Sequence, residues 1–413
     1  MKAEFVRIGM WINGVLYAPV KPSDTHRTAV LAMHSDGDYL TFPAGKALAE
    51  RGYVCLCANI SRQQALDGKL GEVKECFEFL KTVGGVEKVV ILGHSGGATL
   101  MSAYQAVAEN GPEIFRDEKK IVPLGRVPEL PKADGILLID SNWGNGVMTL
   151  LSLDPCVTED ENGMKLDPRY DLAAPENGYA PEGAHYSDGF VKDYLKAQRE
   201  RNERLIDEAL ARLAVIEKGE GLYRDDEPFC VAGGSQIAPN NRLFPQDIRY
   251  LSRTKGEWPL LHADGSQTVE TVHSLRRPRD AKSFTAMLGM GAMNTTVRQY
   301  LASNAVRTTE GYGYDETGVY GIDWDSSYCC TPGNVRYVTV PALVMGMTGG
   351  YEFLAAEDIY HKLGSSDKDL AFVEGASHML VPAKECEQFP GQFGDTVKTL
   401  FDYAARWLGE HFA

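Results

Sequence analysis

Ser95 stands in Gly93-His94-Ser95-Gly96-Gly97, after the apolar run Val89-Val90-Ile91-Leu92 and before Ala98, Leu100, Met101 and Ala103 at helical spacing. The run predicts a strand, the glycines a sharp turn and the following residues a helix. Gly93 and Gly97 remove side chains that would collide where strand and helix pack closely, which leaves Ser95 at the apex of a strained turn with its hydroxyl in a cleft. The first amides of the helix face that cleft, so the helix dipole and the N–H of Gly96 can stabilise an oxyanion. A serine hydroxyl is a weak nucleophile until a base takes its proton, and an oriented imidazole does this at neutral pH. The chemistry on offer is attack on a carbonyl carbon. The plainer alternative is a tight strand-to-helix turn whose serine does nothing.

Here the chain resembles the α/β-hydrolase superfamily, and the likeness covers about half of it, residues 1–144 and 336–413. The resemblance implies a base in the loop after the last core strand, where Glu374-Gly375-Ala376-Ser377-His378-Met379 places His378. Chain order agrees, since such enzymes run nucleophile, acid, histidine. By the same pattern His94 is a structural residue pointing away from the cleft. The acid is expected after the strand Val340 to Met345, where Glu352 is the one carboxylate in the loop 346–353. Asp140 is the alternative acid, at the end of the preceding core strand, and Asp358 is disfavoured because a helix would carry it away. The loop His34-Ser35-Asp36 is similar to the His-Gly-x loop of many members, with Ser35 in place of glycine. By position the backbone N–H of Asp36 joins that of Gly96 as the oxyanion donors, although a carboxylate beside an oxyanion would oppose it unless turned away.

The scaffold that must hold these residues reads as alternating strands and helices. Gly9 to Val20 is a predicted hairpin turning at Asn13-Gly14. Thr28 to Met33 is a buried strand, Phe42 to Arg51 a helix, Gly52 to Ile60 a strand and Leu66 to Val83 a helix; residues 135–140 add a strand after the Ser95 helix. This is an α/β chain with a doubly wound, mostly parallel sheet. Its pattern resumes with Val340 to Met345, a helix near Ala355 to Leu363, the strand Leu370 to Val373 and a helix from about Gly394 to His411. Residues 145–335 differ in character, and the resemblance implies that they form a large mixed cap over the site. They carry a long charged helix, Ser187 to Glu217, whose Leu205, Ile206, Ala209, Leu210 and Leu213 face inward. They also carry a strand at Phe229 to Ala232, and the turn residues Ala263-Asp264-Gly265-Ser266 predict a hairpin. Trp143, Tyr312 and Tyr314 are candidate substrate-lining rings, with packing in the core as the alternative.

At 413 residues the chain exceeds a usual single domain, and its length fits one large enzyme core with an insertion as well as it fits two domains. Its formal net charge of −15 argues against nucleic acid or an anionic membrane as partner. No signal-type or membrane-spanning run is present, so a cytoplasmic protein acting on a small molecule is expected, with a homo-oligomer left open. None of the eight cysteines has metal-ligand spacing, and no metal or organic cofactor is implied. Adjacent Cys329 and Cys330 are the unusual pair, for which separate packing is expected over a redox role. The combined expectation is a serine hydrolase cleaving a carboxylic ester or related acyl bond. Carbon–carbon bond hydrolysis, or acyl transfer on the same residues, is the alternative. A ligand-binding protein that has lost its chemistry is the alternative of another class.

Overall fold

The computed structural model describes residues 1–20, 27–61, 64–158, 165–235, 243–279 and 291–412. The apolar runs of the amino-terminal half form strands β1 (Lys2–Ile8), β2 (Ile12–Ala18), β3 (Thr28–Met33), β4 (Val54–Ala58), β5 (Lys88–Ser95) and β6 (Gly135–Ser141). Helices α1 (Pro43–Glu50), α2 (Leu66–Thr82) and α3 (Gly97–Asn110) connect them. Within residues 145–335 lie α4 (Asn145–Ser152), α5 (Asp188–Glu217), α6 (Val297–Ser303) and strands β7 (Pro228–Val231), β8 (Arg253–Leu261), β9 (Gln267–His273), β10 (Met293–Thr296), β11 (Thr308–Tyr314) and β12 (Val319–Ile322). The chain closes with β13 (Ala342–Met347), α7 (Phe353–Lys362), β14 (Lys368–Val373) and α8 (Thr396–Phe412).

Ten strands make one sheet in the order β1-β2-β4-β3-β5-β6-β13-β14-β8-β9. From β4 to β8 every pairing is parallel, and the β1-β2, β2-β4 and β8-β9 pairings are antiparallel. β3, β6 and β13 are buried along their whole length because helices cover both faces. One face carries Ile136 and Leu138 against α2, α3 and α7; the other carries Leu137 and Ile139 against α1 and α8. Parallel strands leave their carboxyl ends on one edge, and the loops after β3, β5, β6, β13 and β14 meet there.

Two expectations change. The amino-terminal hairpin turns at Gly9–Trp11, with Ile8 opposite Ile12, so Asn13 and Gly14 lie inside β2. The hairpin around Ala263–Ser266 exists as β8–β9, but it belongs to the main sheet: Phe372 and Val373 of β14 pair with Leu260 and Leu261. β8 and β9 thus fall within 145–335, the span expected to form a cap, yet extend the main sheet. An edge strand with open backbone donors and acceptors pairs with whatever strand reaches it, and β8 does so across more than a hundred residues of chain. The remainder of 145–335 also shares its apolar interior with the sheet helices, through Tyr186, Tyr194, Leu195 and Phe244. Leu205, Ile206 and Ala209 of α5 are buried against Tyr300 and Leu301, with Leu210 and Leu213 partly buried beside them.

Trp143, Tyr312 and Tyr314 are core residues. Trp143 is fully buried and its indole N–H donates to Asp358 Oδ2 at 2.7 Å. The Tyr312 hydroxyl donates to Gln198 Oε1 at 2.8 Å, and Tyr314 packs edge-on against Phe244. Cys329 and Cys330 are buried free thiols, with Cys329 Sγ donating to Ala305 O at 3.2 Å. Among the described residues no helix is long and apolar enough to cross a membrane.

Candidate active site

β5 ends in Ser95, whose φ of +56° lies in the left-handed region that costs a residue with a Cβ. The two glycines around it have measurable reasons. A Cβ on Gly93 would come 2.6 Å from Ala98 Cα, and one on Gly97 would come 2.4 Å from Met33 O at the end of β3. Any side chain at either position would push α3 off the sheet. The strain is therefore held by packing on both sides of the serine.

His378 lies in the loop after β14, and its Nε2 is 2.9 Å from Ser95 Oγ. Its Nδ1 is 2.6 Å from Asp140 Oδ2. A serine on a strained strand-to-helix turn is linked through an imidazole to a buried carboxylate, in chain order serine, aspartate, histidine. This is the α/β-hydrolase fold.

In this hydrolase fold the partner of His378 is Asp140, which corrects the expectation of Glu352. The reason lies in β6. Strand alternation would send Asp140 to the same face as Ile136 and Leu138, into the apolar layer. Instead the register slips, with His94 opposite Ile139 and Ser95 opposite Ser141, so Asp140 is the extra residue of a bulge, with φ of +39°. A bulge re-aims the side chain it carries. The carboxylate then turns to the carboxyl edge, where Oδ1 accepts from Met347 N–H at 2.8 Å and Oδ2 faces His378. Glu352 opens α7, and its Oε2 accepts from Tyr351 N–H at 3.2 Å on its own loop. Asp358 is held by Trp143.

Glu352 still acts on the imidazole through its charge. Burial by itself would lower the His378 pKa; the Glu352 charge, then the hydrogen bond and charge of Asp140, outweigh it and raise it to about 9. Burial also raises the Asp140 carboxyl, against the lowering effect of His378. Because the base must be neutral, the rising limb of activity with pH should centre near 9, above the ordinary histidine range. Glu352→Gln removes a charge that favours imidazolium, so the limb should move to lower pH. A pH profile of kcat/KM for the two proteins checks this; a limb that stays in place refutes the electrostatic role.

His94 is not turned away. It is buried, its ring centre is 4.8 Å from that of His378, and its Nε2 is 2.7 Å from the His378 carbonyl oxygen. Burial first, then the nearby His378 charge, keep its pKa well below the ordinary range, so the ring is neutral. Burial likewise raises the Tyr39 hydroxyl, which stays protonated and bonds His94 Nδ1. Tyr39 O–H donating to Nδ1 leaves the proton on Nε2, and Nε2–H donates to the His378 carbonyl. His94 thus tethers the loop that carries the base. Among the described residues, His94, Asp140 and His378 are also the one group whose ligand-type atoms lie within 4.8 Å of one another. Its imidazole and carboxylate atoms are already committed to one another, to Tyr39 and to backbone, which suits a proton relay.

The Asp36 amide is not offered to the cleft. It donates to His34 Nδ1 at 3.1 Å, as the Gly37 amide does at 2.8 Å, and the Asp36 side chain is exposed. This corrects its assignment as an oxyanion donor. Ser35 takes the place nearest the elbow: its Oγ lies 2.8 Å from where a Cβ on Gly96 would sit, and Lys69 Nζ fixes its carbonyl at 2.6 Å. Ser35 is buried, and its Oγ has no hydrogen-bond partner among the described residues. Sequence reasoning noted Ser35 only as a substitute for glycine; the signal was a hydroxyl where the pattern has no side chain.

No protein-family model matches the chain, and no curated protein matches it. Solved structures to which it is similar include DcsB in complex with its substrate analogue, at 10% identity and a TM-score of 0.48, covering 99% of each chain. The siderophore hydrolase EstB from Aspergillus fumigatus is similar at 11% identity and a TM-score of 0.45, covering 100% of this chain and 98% of that one. The proline iminopeptidase of Mycobacterium smegmatis is similar at 12% identity and a TM-score of 0.40, covering 99% and 98%. The fold assignment rests on the sheet, the elbow and the Ser95-His378-Asp140 geometry.

Proposed function

We propose that the protein is a serine hydrolase that cleaves a carboxylic ester of a small molecule through a covalent acyl-enzyme. The observation that carries this reading is the continuous hydrogen-bonded line from Ser95 Oγ through His378 to Asp140 at the carboxyl edge of the sheet. Ser95 Oγ attacks the carbonyl carbon and its proton passes to His378 Nε2. Asp140 holds the proton on Nδ1, so that Nε2 is the acceptor, and stabilises the imidazolium that forms. Collapse of the tetrahedral intermediate breaks the ester C–O bond, and the Nε2 proton goes to the leaving alkoxide. Water then attacks the acyl carbon as His378 Nε2 takes its proton; the C–O bond to Ser95 breaks, and that proton passes to Ser95 Oγ as the acid leaves.

The oxyanion is held by the amide of Gly96, at the N-terminus of α3, and by the Ser35 hydroxyl. A buried hydroxyl without a partner costs stability, and an oxyanion forming beside it would give it one. Ser35→Ala should lower kcat by about 10²–10³-fold, the scale for one lost oxyanion donor, with little change in KM. Steady-state kinetics on a 4-nitrophenyl ester checks this, and a kcat within twofold of wild type removes Ser35 from the mechanism. A cytoplasmic setting belongs to the same reading, since all eight cysteines are free thiols.

The test of the hydrolase reading is covalent labelling by a fluorophosphonate probe, which reacts only with an activated serine. Stoichiometric labelling located to Ser95 by peptide mass spectrometry, and absent in Ser95→Ala, is expected. Intact protein that does not react would instead fit a binding protein on this fold.

A further inference from the structure

Beside the catalytic histidine lies a cavity of about 210 Å³ that none of the residues discussed so far explains. His378 and Met379 form one wall, Tyr351 and Glu352 another, and the segment Arg276-Arg277-Pro278-Arg279 a third. This segment follows β9, the strand that the cap span adds to the sheet edge. It is pinned to the loop after β13: Ser274 Oγ donates to Gly350 O at 2.6 Å and Leu275 N–H to Thr348 O at 2.8 Å. Arg279 N–H donates to Pro245 O at 2.7 Å. Three arginines in four residues are thereby fixed at the mouth of the site.

Their roles divide. The Arg276 guanidinium is spent on structure, with bonds to the carbonyls of Leu251, Tyr250 and Phe244 and to Ser274 Oγ, and it faces the Glu352 charge. Arg277 and Arg279 are exposed, and among the described residues neither forms an ion pair. The chain carries 57 acidic and 42 basic residues, so carboxylates are in excess over the cations that could hold an anion. Other arginines do find carboxylates, as Arg51 with Asp402, Arg249 with Asp247, Arg253 with Glu316 and Arg307 with Glu203. Glu385 is the remaining carboxylate on the cavity wall, one negative charge against two guanidinium groups. In so acidic a protein the long-range field repels anions, so an anion reaches this site only if local cations hold it.

We infer that the substrate is a small ester bearing a carboxylate, which Arg277 and Arg279 bind in this cavity while the ester carbonyl lies at Ser95. The inference rests on the hydrolase reading and names its substrate class. Guanidinium groups match carboxylates in planar, charge-assisted pairs, and a partly enclosed wall strengthens them. The cavity is smaller than the roughly 300–1,000 Å³ of drug-sized sites, so the anionic end is short. A long acyl chain does not fit it.

Two measurements test this. The first compares kcat/KM for matched esters. Mono(4-nitrophenyl) glutarate against 4-nitrophenyl butyrate places the carboxylate on the acyl side; 4-acetoxybenzoate against phenyl acetate places it on the alcohol side. In one arm the anionic ester should win by at least about tenfold, mainly through KM, and the advantage should shrink with added salt. Arg277→Gln with Arg279→Gln should cut that anionic-to-neutral ratio by about 10- to 100-fold, and Arg277→Lys with Arg279→Lys should restore part of it. The second measurement needs no turnover: calorimetric titration of the Ser95→Ala protein with glutarate and with benzoate, each expected to weaken at least about tenfold in the double glutamine variant for the arm that wins. Preference for the neutral ester in both arms, or an anionic preference that survives the double glutamine variant, overturns the inference. Failure of the hydrolase reading looks different: no fluorophosphonate labelling and no turnover of any of the four esters, with the titration alone then deciding the anion site.

Discussion

Ser95→Ala is expected to lower turnover by about 10⁶-fold, the scale seen when the nucleophile of another triad is removed. In the proposed mechanism the hydroxyl forms the covalent intermediate, and among the described residues it is Ser95 Oγ that stands 2.9 Å from His378 Nε2. The fold should survive, because the packing around Gly93 and Gly97 holds the φ of +56° and alanine has the same Cβ as serine. Loss of the Oγ–Nε2 bond removes one partly buried polar contact, worth about 1 kcal/mol. Steady-state kinetics with a thermal melt checks both halves. Turnover within tenfold of wild type, with contaminating activity excluded, would end the serine mechanism.

Asp140→Asn is expected to lower kcat by about 10⁴-fold, the scale for the same change in another triad. The geometry says why. Both Asp140 oxygens accept a proton, one from Met347 N–H and one from His378 Nδ1–H. Asparagine has one acceptor and one donor at these places. If its oxygen keeps the Met347 amide, its NH₂ faces Nδ1, which must then be unprotonated, and the proton sits on Nε2 where Ser95 needs an acceptor. If the amide flips, NH₂ meets the Met347 N–H. Either way the working tautomer is lost or a buried donor is left unpaired. Stability is expected to change little, because asparagine removes a charge that burial disfavours but also removes the partner that favours the His378 imidazolium. Glu352→Gln should cost far less in kcat and move the pH limb instead. A larger loss of kcat for Glu352→Gln than for Asp140→Asn would overturn the assignment.

The elbow was legible in the sequence because everything that makes it is local. An apolar run, two glycines flanking Ser95 and a helical pattern are neighbours in the chain, and close strand–helix packing leaves little choice at Gly93 and Gly97. His378 was legible through resemblance and chain order, since a loop after the last parallel strand must open on the carboxyl edge. The α/β alternation likewise predicted the parallel sheet, because each period of apolar residues reports which face an element buries. Tertiary structure decided the acid. Glu352 and Asp140 both follow strands that end beside the site, and only the bulge opposite Ser95 takes Asp140 out of the apolar layer and aims it at Nδ1. A bulge is a mismatch between two strands, so neither strand's own sequence contains it. The same limit applies to β8, whose hairpin could be read but whose partner β14 could not, and to Asp36, whose amide is claimed by His34. Trp143, Tyr312 and Tyr314 show it for packing: an aromatic ring reads alike in a pocket or a core, and only the Asp358, Gln198 and Phe244 that meet them settle which.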